Sequence, residues 1–449
     1  MWDTGCRDSA ETGRHDYPCR VPLSRRALLS AAALSVVAAG CTPVEDIATP
    51  TRRRFDNVAP AREVTWWTST PTGEELIEEA LAMRFTNANP ELRVVIRRFE
   101  DQPSLMSEYE ATAPAARPDL FTINSNAWFD LMQRRAILPL NELLTYTAAP
   151  SGDLRVPLVN AFMHEGEIWG LPFVMSIPAM YFNRDHWAKA QLPDNSPPLW
   201  SDLTDWATLL RQATPEVPSV YADPLLTPLA PWLLQSRLWA LDGALSEGWQ
   251  SRITDPQTIA ALRYPQTAAA EGWLTTPDDP IQSLLDGEVS IAMGTVTDLP
   301  RVVASGANIG IGGVPGARLS GVTATVGGSG LAISSERDRS HQLTAAMFLR
   351  HTIETTISVP VARWTGAIPV RMATSVNDIV EPLAPMRHMM DLMLPNARQQ
   401  DFFRTRLPGA DAHISAAFAA SLTGDIPTIA ADLDAALQMI FDEQVQPNL

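Results

Sequence analysis

The chain of 449 residues is poor in thiols and in lysine: it has three cysteines, and of its 34 basic side chains only Lys189 is a lysine. Cys6, Cys19 and Cys41 all lie near the N-terminus, and none occurs from Thr42 onward. That long body therefore has no disulfide, no thiolate zinc site and no cysteine nucleophile. Basic clusters are scarce as well. The formal net charge is −17, so no nucleic-acid partner is expected, because phosphate backbones are bound by clustered Lys and Arg. The seven histidines are scattered and form no H-E-x-x-H. Gly327-Gly328-Ser329-Gly330-Leu331 is not a G-x-S-x-G nucleophile elbow, since Leu331 stands where the last glycine is needed, and it is not G-x-G-x-x-G either. The carboxylate pairs Glu74-Glu75 and Glu78-Glu79 fall near a helix start, where they complement the dipole and are expected to stay in solvent. No spacing singles out two carboxylates that could flank a glycosidic bond. Binding without chemistry, with no cofactor and no metal, is the reading these absences leave.

No apolar run is long enough to cross a bilayer. The longest, residues 27–40, follows Ser24-Arg25-Arg26 and runs directly into Cys41. A basic segment, a short apolar core and small residues before a cleavage point make a secretory signal over 1–40. Ser24-Arg25-Arg26-Ala27-Leu28-Leu29 also resembles a twin-arginine export signal. Ala38-Ala39-Gly40-Cys41 resembles a bacterial lipobox, which implies that Cys41 is lipidated and anchors the protein to the outer face of the cytoplasmic membrane. Lasting attachment takes more than one acyl chain, which such a cysteine carries. Residues 41–62, with prolines and Arg52-Arg53-Arg54, read as the lipidated cysteine and a tether.

From Glu63 the pattern alternates. The spacing predicts a strand over 63–68, a helix over 76–86 with Leu76, Ala80, Met83 and Phe85 as its apolar positions, a strand over 92–96, a helix near 105–113 and a strand over 118–123. Strands alternating with helices make an α/β domain with a mostly parallel sheet. Ligands of such sheets sit beyond the carboxyl ends of the strands. Those ends carry Trp67-Thr68-Ser69 and Asn124-Ser125-Asn126-Ala127-Trp128. Further on, residues 166–187 read as strand, bend, strand and helix, entered through the polar hairpin His164-Glu165-Gly166-Glu167. Pro172 and Pro178 exclude a single uninterrupted central strand, and Asp185 is the expected N-cap of the helix.

Gly166-Glu167-Ile168-Trp169-Gly170-Leu171-Pro172, followed by Tyr181-Phe182-Asn183-Arg184-Asp185, resembles the crossover of extracellular solute-binding proteins of ABC importers, in the large family that takes up sugars and glycerophosphodiesters. Similar family patterns recur at Pro197-Pro198-Leu199-Trp200, at Leu284 and Gly287, at Gly312-Gly313-Val314-Pro315-Gly316 and at Thr365-Gly366-Ala367-Ile368-Pro369-Val370-Arg371. Ser290-Ile291 departs from the usual Ala-Met. The likeness runs from Glu63 to the C-terminus and is nearest to actinobacterial lipoproteins. It implies a two-lobe, type II periplasmic-binding-protein-like α/β fold, with the ligand cleft between a first lobe (63–171 plus 314–350) and a second (172–313 plus 351–449). A monomer that works with ABC permease subunits is implied too.

The resemblance also marks candidate ligand contacts. Ser176, Trp232 and Arg404 resemble contacts of the glycerophosphocholine-binding branch. Trp67, Ser69, Asn124, Asn126 and Trp128 stand at strand ends of the first lobe, Thr295 and Thr297 at a strand end of the second, and Gly328 in the glycine run. Residues 229–243 are expected to form one helix that carries Trp232 and Trp239 on one face, where core packing and ligand stacking are both open. Ala367 replaces that branch's tyrosine, and Asn124-Ser125-Asn126 replaces its aspartates, which removes what would hold a choline cation. The expected ligand is thus a carbohydrate (a sugar, amino sugar or oligosaccharide), with a glycerophosphodiester second. A lipid-anchored hydrolase and a surface scaffold are the alternatives of other classes.

Overall fold

Two five-stranded sheets are built from ten strands: β1 (Glu63–Thr68), β2 (Arg93–Arg98), β3 (Leu120–Asn124), β4 (Leu171–Ser176), β5 (Pro178–Asn183), β6 (Ser219–Ala222), β7 (Leu274–Thr275), β8 (Val289–Thr295), β9 (Ile309–Gly312) and β10 (Gly327–Ile333). The computed structural model describes residues 54–69, 75–316, 324–374, 389–390 and 393–449. The export signal, Cys41 and most of the tether lie outside the described residues. Phe55–Leu449 form one compact unit.

The first sheet has the order β2-β1-β3-β10-β4 and the second β7-β6-β8-β5-β9. In each, three neighbouring strands run parallel and the fourth antiparallel to them. The fifth runs antiparallel to the fourth. Every residue of β8 is buried, as are four of the five in β3, which explains why these strands read as apolar runs rather than alternating ones. Trp66 of β1 packs between Phe173 and Phe348, at ring separations of 5.9 and 5.4 Å, in the first core. Trp200, Tyr221 and Tyr264 cluster in the second, beside the buried ion pair of Arg237 and Asp223. Burial pushes the Asp223 carboxyl up, with Arg237 pulling it back down.

Several expectations are corrected. The chain changes sheets at Ile177, because Leu171–Ser176 pairs with β10 in the first sheet and Pro178–Asn183 joins the second. The predicted boundary at Leu171/Pro172 is therefore five residues early. Pro172 fits on β4 because that strand is an edge. There the register jumps from Ser329↔Val174 to Gly330↔Pro172, leaving Phe173 as the extra residue of a bulge. Pro178 is the first residue of β5. Helix Thr355–Thr365, just past the expected boundary at 350/351, packs against helices Glu75–Ala88 and Arg339–Thr352 and β4 on one side, and against helix Leu299–Ser305 after β8 on the other.

The helix after β5 is capped by Asn183, not Asp185: the Asn183 carboxamide accepts from Asp185 N at 2.9 Å and His186 N at 3.2 Å. Helix Glu75–Ala88 buries Ile77, Leu81 and Phe85, spaced four apart, and leaves Leu76 and Met83 exposed. Glu78 is buried, not solvated: Thr68 Oγ1 donates to it at 2.5 Å and Arg98 Nε at 3.0 Å. The helix expected over 229–243 is two short ones, Ala230–Leu233 and Gln235–Ala240. The Gln235 side chain turns back to the carbonyls of Pro231 and Trp232, competing with the backbone ladder at the break.

Candidate functional site

Glycine at the start of β10 lets Trp232, on helix Ala230–Leu233, come close to the first sheet. A Cβ on Gly327 would lie 2.3 Å from the Trp232 indole, so only a bare backbone lets the ring lie there. Gly327 is in register with Ser176, the last residue of β4 before the change of sheet. Ser176 Oγ and Trp232 Nε1 are both buried and have no hydrogen-bond partner. The next residue, Gly328, has φ +126, and its carbonyl accepts from Ser125 N at 2.9 Å. That bond draws the Asn124-Ser125-Asn126 end of β3 to the same place.

The opposite wall comes from the segment after residue 397. Arg398 pairs with the strand end at Thr325. The Gln400 side chain donates to Ser125 Oγ at 2.6 Å and to Val326 O at 3.0 Å. Its carbonyl oxygen accepts from Arg404 Nη1. Arg404 Nη2 donates to Asp411 Oδ2 at 2.7 Å, and Asn126 Nδ2 donates to the same oxygen at 2.7 Å. Arg404 is 7% exposed; its Nε and the second oxygen of Asp411 are buried without partners.

Arg404 is positioned by Asp401, which caps helix Phe402–Arg406. The Asp401 carboxylate accepts from Phe403 N at 3.0 Å, Leu245 N at 3.0 Å, Ser246 N at 3.1 Å and Ser246 Oγ at 2.7 Å. Its backbone N donates to Gln235 Oε1 at 2.5 Å, tying the cap to the helix that follows Trp232. Burial pushes the Asp401 carboxyl up, while the bonds from Ser246, Phe403 and Leu245 pull it down.

Of the residues singled out in the sequence, Asn126, Ser176, Trp232, Gly328 and Arg404 are brought together. The others are not. Trp67 is buried against Phe99 at 5.1 Å and beneath the Arg97 guanidinium at 4.7 Å. Ser69 Oγ donates to Gln102 Oε1 at 3.2 Å. Asn124 sits in β3 opposite Ser329, with its carbonyl closing a turn onto Ala127 N. Thr295 and Thr297 join their hydroxyls at 2.7 Å, and Asp298 accepts from Thr295 N at 2.8 Å to cap a short turn. Trp128 donates to Ala161 O at 2.8 Å and walls a neighbouring cavity of about 350 Å³. Trp239 faces Arg398 at 4.4 Å.

Sequence reasoning did not single out Gln400 and Asp411. Leu407-Pro408-Gly409 interrupts the helix between Arg404 and Asp411, so helical spacing could not pair them. Gln400 has no signal of its own.

The arrangement offers a hydroxyl, two N–H donors, a carboxylate oxygen and an indole face where the end of the first sheet meets helices Ala230–Leu233 and Phe402–Arg406. The Arg404 and Asp411 charges cancel. Such a site can hold a small polar molecule; among the described residues no cluster of three or more metal-ligating groups occurs.

Comparison with known proteins places the fold. The UgpB of Mycobacterium tuberculosis, solved in complex with glycerophosphocholine, superposes with a TM-score of 0.78 at 24% identity, covering 86% of this chain and 100% of that one. The acarbose-binding GacH receptor of Streptomyces glaucescens gives 0.71 at 16% identity, covering 85% and 98%. These likenesses show a two-domain periplasmic-binding-protein fold. The sn-glycerol-3-phosphate-binding periplasmic protein UgpB of Escherichia coli is 27% identical over 146 residues, so the match spans only 30% of this chain and 32% of that protein. Residues 80–381 match the model of the bacterial extracellular solute-binding protein family, and the chain belongs to that family.

Proposed function

We propose that this protein is the solute-binding component of an ABC importer, which captures a carbohydrate between its two lobes and hands it to membrane permease subunits. It binds without turning its ligand over. It works as a monomer, held at the outer face of the cytoplasmic membrane through a lipidated Cys41.

One observation carries this reading. Ser176 Oγ, Trp232 Nε1, Arg404 Nε and the free oxygen of Asp411 are all buried and unpartnered at the junction of the two sheets. A buried polar group without a partner is costly, on the order of 1–3 kcal/mol each, and a solute rich in hydroxyls satisfies donors and acceptors together. The Trp232 face suits the apolar C–H surface of a sugar ring. Ser176 comes from the first sheet and Trp232 from the helix that follows β6 of the second, so a bound solute favours the closed arrangement, which alone contacts it from both sides.

A glycerophosphodiester is the second reading. It is favoured by the ligand named for the mycobacterial UgpB and by the Arg404 guanidinium, whose fork suits a phosphate. Asp411 already occupies one edge of that fork, which favours a hydroxyl over a phosphate at Arg404. Calorimetric titration of the full chain with sugars, amino sugars, oligosaccharides and glycerophosphodiesters tests both. Saturable binding of one class identifies the solute; hydrolysis of any of them by pure protein would overturn the binding-only reading.

A further inference from the structure

Arg406 takes no part in the junction described above. It lies two residues beyond Arg404 in helix Phe402–Arg406 and so projects from a different face. Its guanidinium lies over three rings, 4.2 Å from the centre of Phe129, 4.7 Å from Trp128 and 5.6 Å from Phe402. Nη1 is buried with no hydrogen-bond partner, and among the described residues no carboxylate pairs with this side chain. Aromatic faces attract a guanidinium but accept none of its in-plane N–H groups, so the rings leave Nη1 without an acceptor. The nearby cations are neutralised: Arg134 meets Glu110 at 2.6 Å and Asp130 at 2.7 Å, and Arg404 meets Asp411. Burial lowers the Arg406 pKa to about 10, which leaves it charged at neutral pH.

The guanidinium lines the cavity of about 350 Å³ walled by Trp128 and Phe402 and bordered by Ser125, Asn160, Glu165 and Gln400. Ser125 Oγ accepts from Gln400, so its own O–H is free to donate. Glu165 is exposed on the hairpin turn, at the rim. Burial lowers the pKa of His164 beside it, with Arg406 adding to the effect. Ser125 and Gln400 belong both to this cavity and to the junction where Ser176, Trp232 and Arg404 meet.

The geometry points to an oxyanion subsite in this cavity: Arg406 and the Ser125 hydroxyl hold a carboxylate or phosphate group, while the hydroxyl-bearing part of the same solute lies at the junction. The inference rests on the solute-binding reading and narrows it to acidic or phosphorylated polyols and sugars. A fixed cation with an open edge, in a pocket with hydroxyl and amide groups, matches an anion with several acceptor oxygens.

The test is calorimetry on the full chain with paired probes: glycerol 3-phosphate against glycerol, glucuronate against glucose, and inorganic phosphate alone. At least one anionic probe is expected to bind tenfold or more tightly than its neutral counterpart, a difference of about 1.4 kcal/mol. Arg406→Gln should erase that advantage without weakening the neutral probe, and Arg406→Lys should keep part of it. Binding of inorganic phosphate alone, lost in Arg406→Gln, supports the subsite and identifies a free anion as its occupant. Equal affinities for charged and neutral probes overturn the subsite and leave solute binding standing; if no probe binds at all, both fail. The unliganded melting midpoint of Arg406→Gln should stay level or rise, because an unpaired buried cation has been removed. A fall of several degrees would make the guanidinium a structural cover for Trp128 and Phe129, and would overturn the inference.

Discussion

Trp232 and Gly327 show how one contact serves packing and recognition together. The indole rests on a glycine because any side chain there would occupy its place. Gly327→Ala should therefore push the ring aside, costing about 1–3 kcal/mol of stability by overpacking and weakening the solute in the same variant; urea unfolding and calorimetry read the two effects. Trp232→Ala should weaken binding at least tenfold, about 1.4 kcal/mol. Unchanged affinity would assign Trp232 to the core alone. The same scale shows what a sequence can reveal about a site. Family patterns mark Trp232, Ser176 and Arg404 as candidates, and a place at a strand end marks Asn126; solute contact by each is what substitution tests. The strand-end rule also marked Ser69, Thr295 and Thr297, yet their hydroxyls are engaged by Gln102, by each other and by Asp298. Whether a polar side chain is free depends on which distant residue reaches it first, and Gln400 reaches Ser125 across 275 positions.

Helix boundaries were legible to within a few residues, but the caps were not. Asn183 and Asp185 are both good capping residues, and only the backbone decides: Asn183 is extended, with φ −77 and ψ 110, and its side chain faces the open N–H groups. Asn183→Ala should cost about 1 kcal/mol and Asp185→Ala clearly less, as denaturant midpoints will show. The Gln235–Ala240 helix supplies another test, because Arg237 is 2% exposed and neutralises the fully buried Asp223. Arg237→Met leaves that carboxylate uncompensated and should destabilise the protein by about 3–5 kcal/mol. Replacing both partners with apolar residues should restore much of the loss. Glu78 belongs with these cases. A carboxylate near a helix start is ordinarily solvated, but Thr68 at the end of β1 and Arg98 at the end of β2 close over it.

At the scale of the molecule, two sheets with the same pattern of strand directions are joined where the chain passes from Ser176 through Ile177 to Pro178, and again between β9 and β10. The Ile177 carbonyl accepts from Val296 N at 3.1 Å, which ties the first crossing to the β8 end. If capture proceeds by closure, saturating solute should lower the radius of gyration in small-angle X-ray scattering; an unchanged value with bound solute would mean that the lobes do not move. Alternation of strands and helices, the prolines at the crossing and the ordered family motifs were enough by themselves to determine an α/β fold of two lobes and a solute-binding family. Those signals are local or depend only on order along the chain. The point of crossing, the burial of Glu78, the break after Trp232 and the meeting of Arg404 with Asp411, Gln400 and Asn126 were decided only by the tertiary structure. Each of these depends on contacts between residues far apart in sequence, and no periodicity records which of several capable partners will satisfy a buried group.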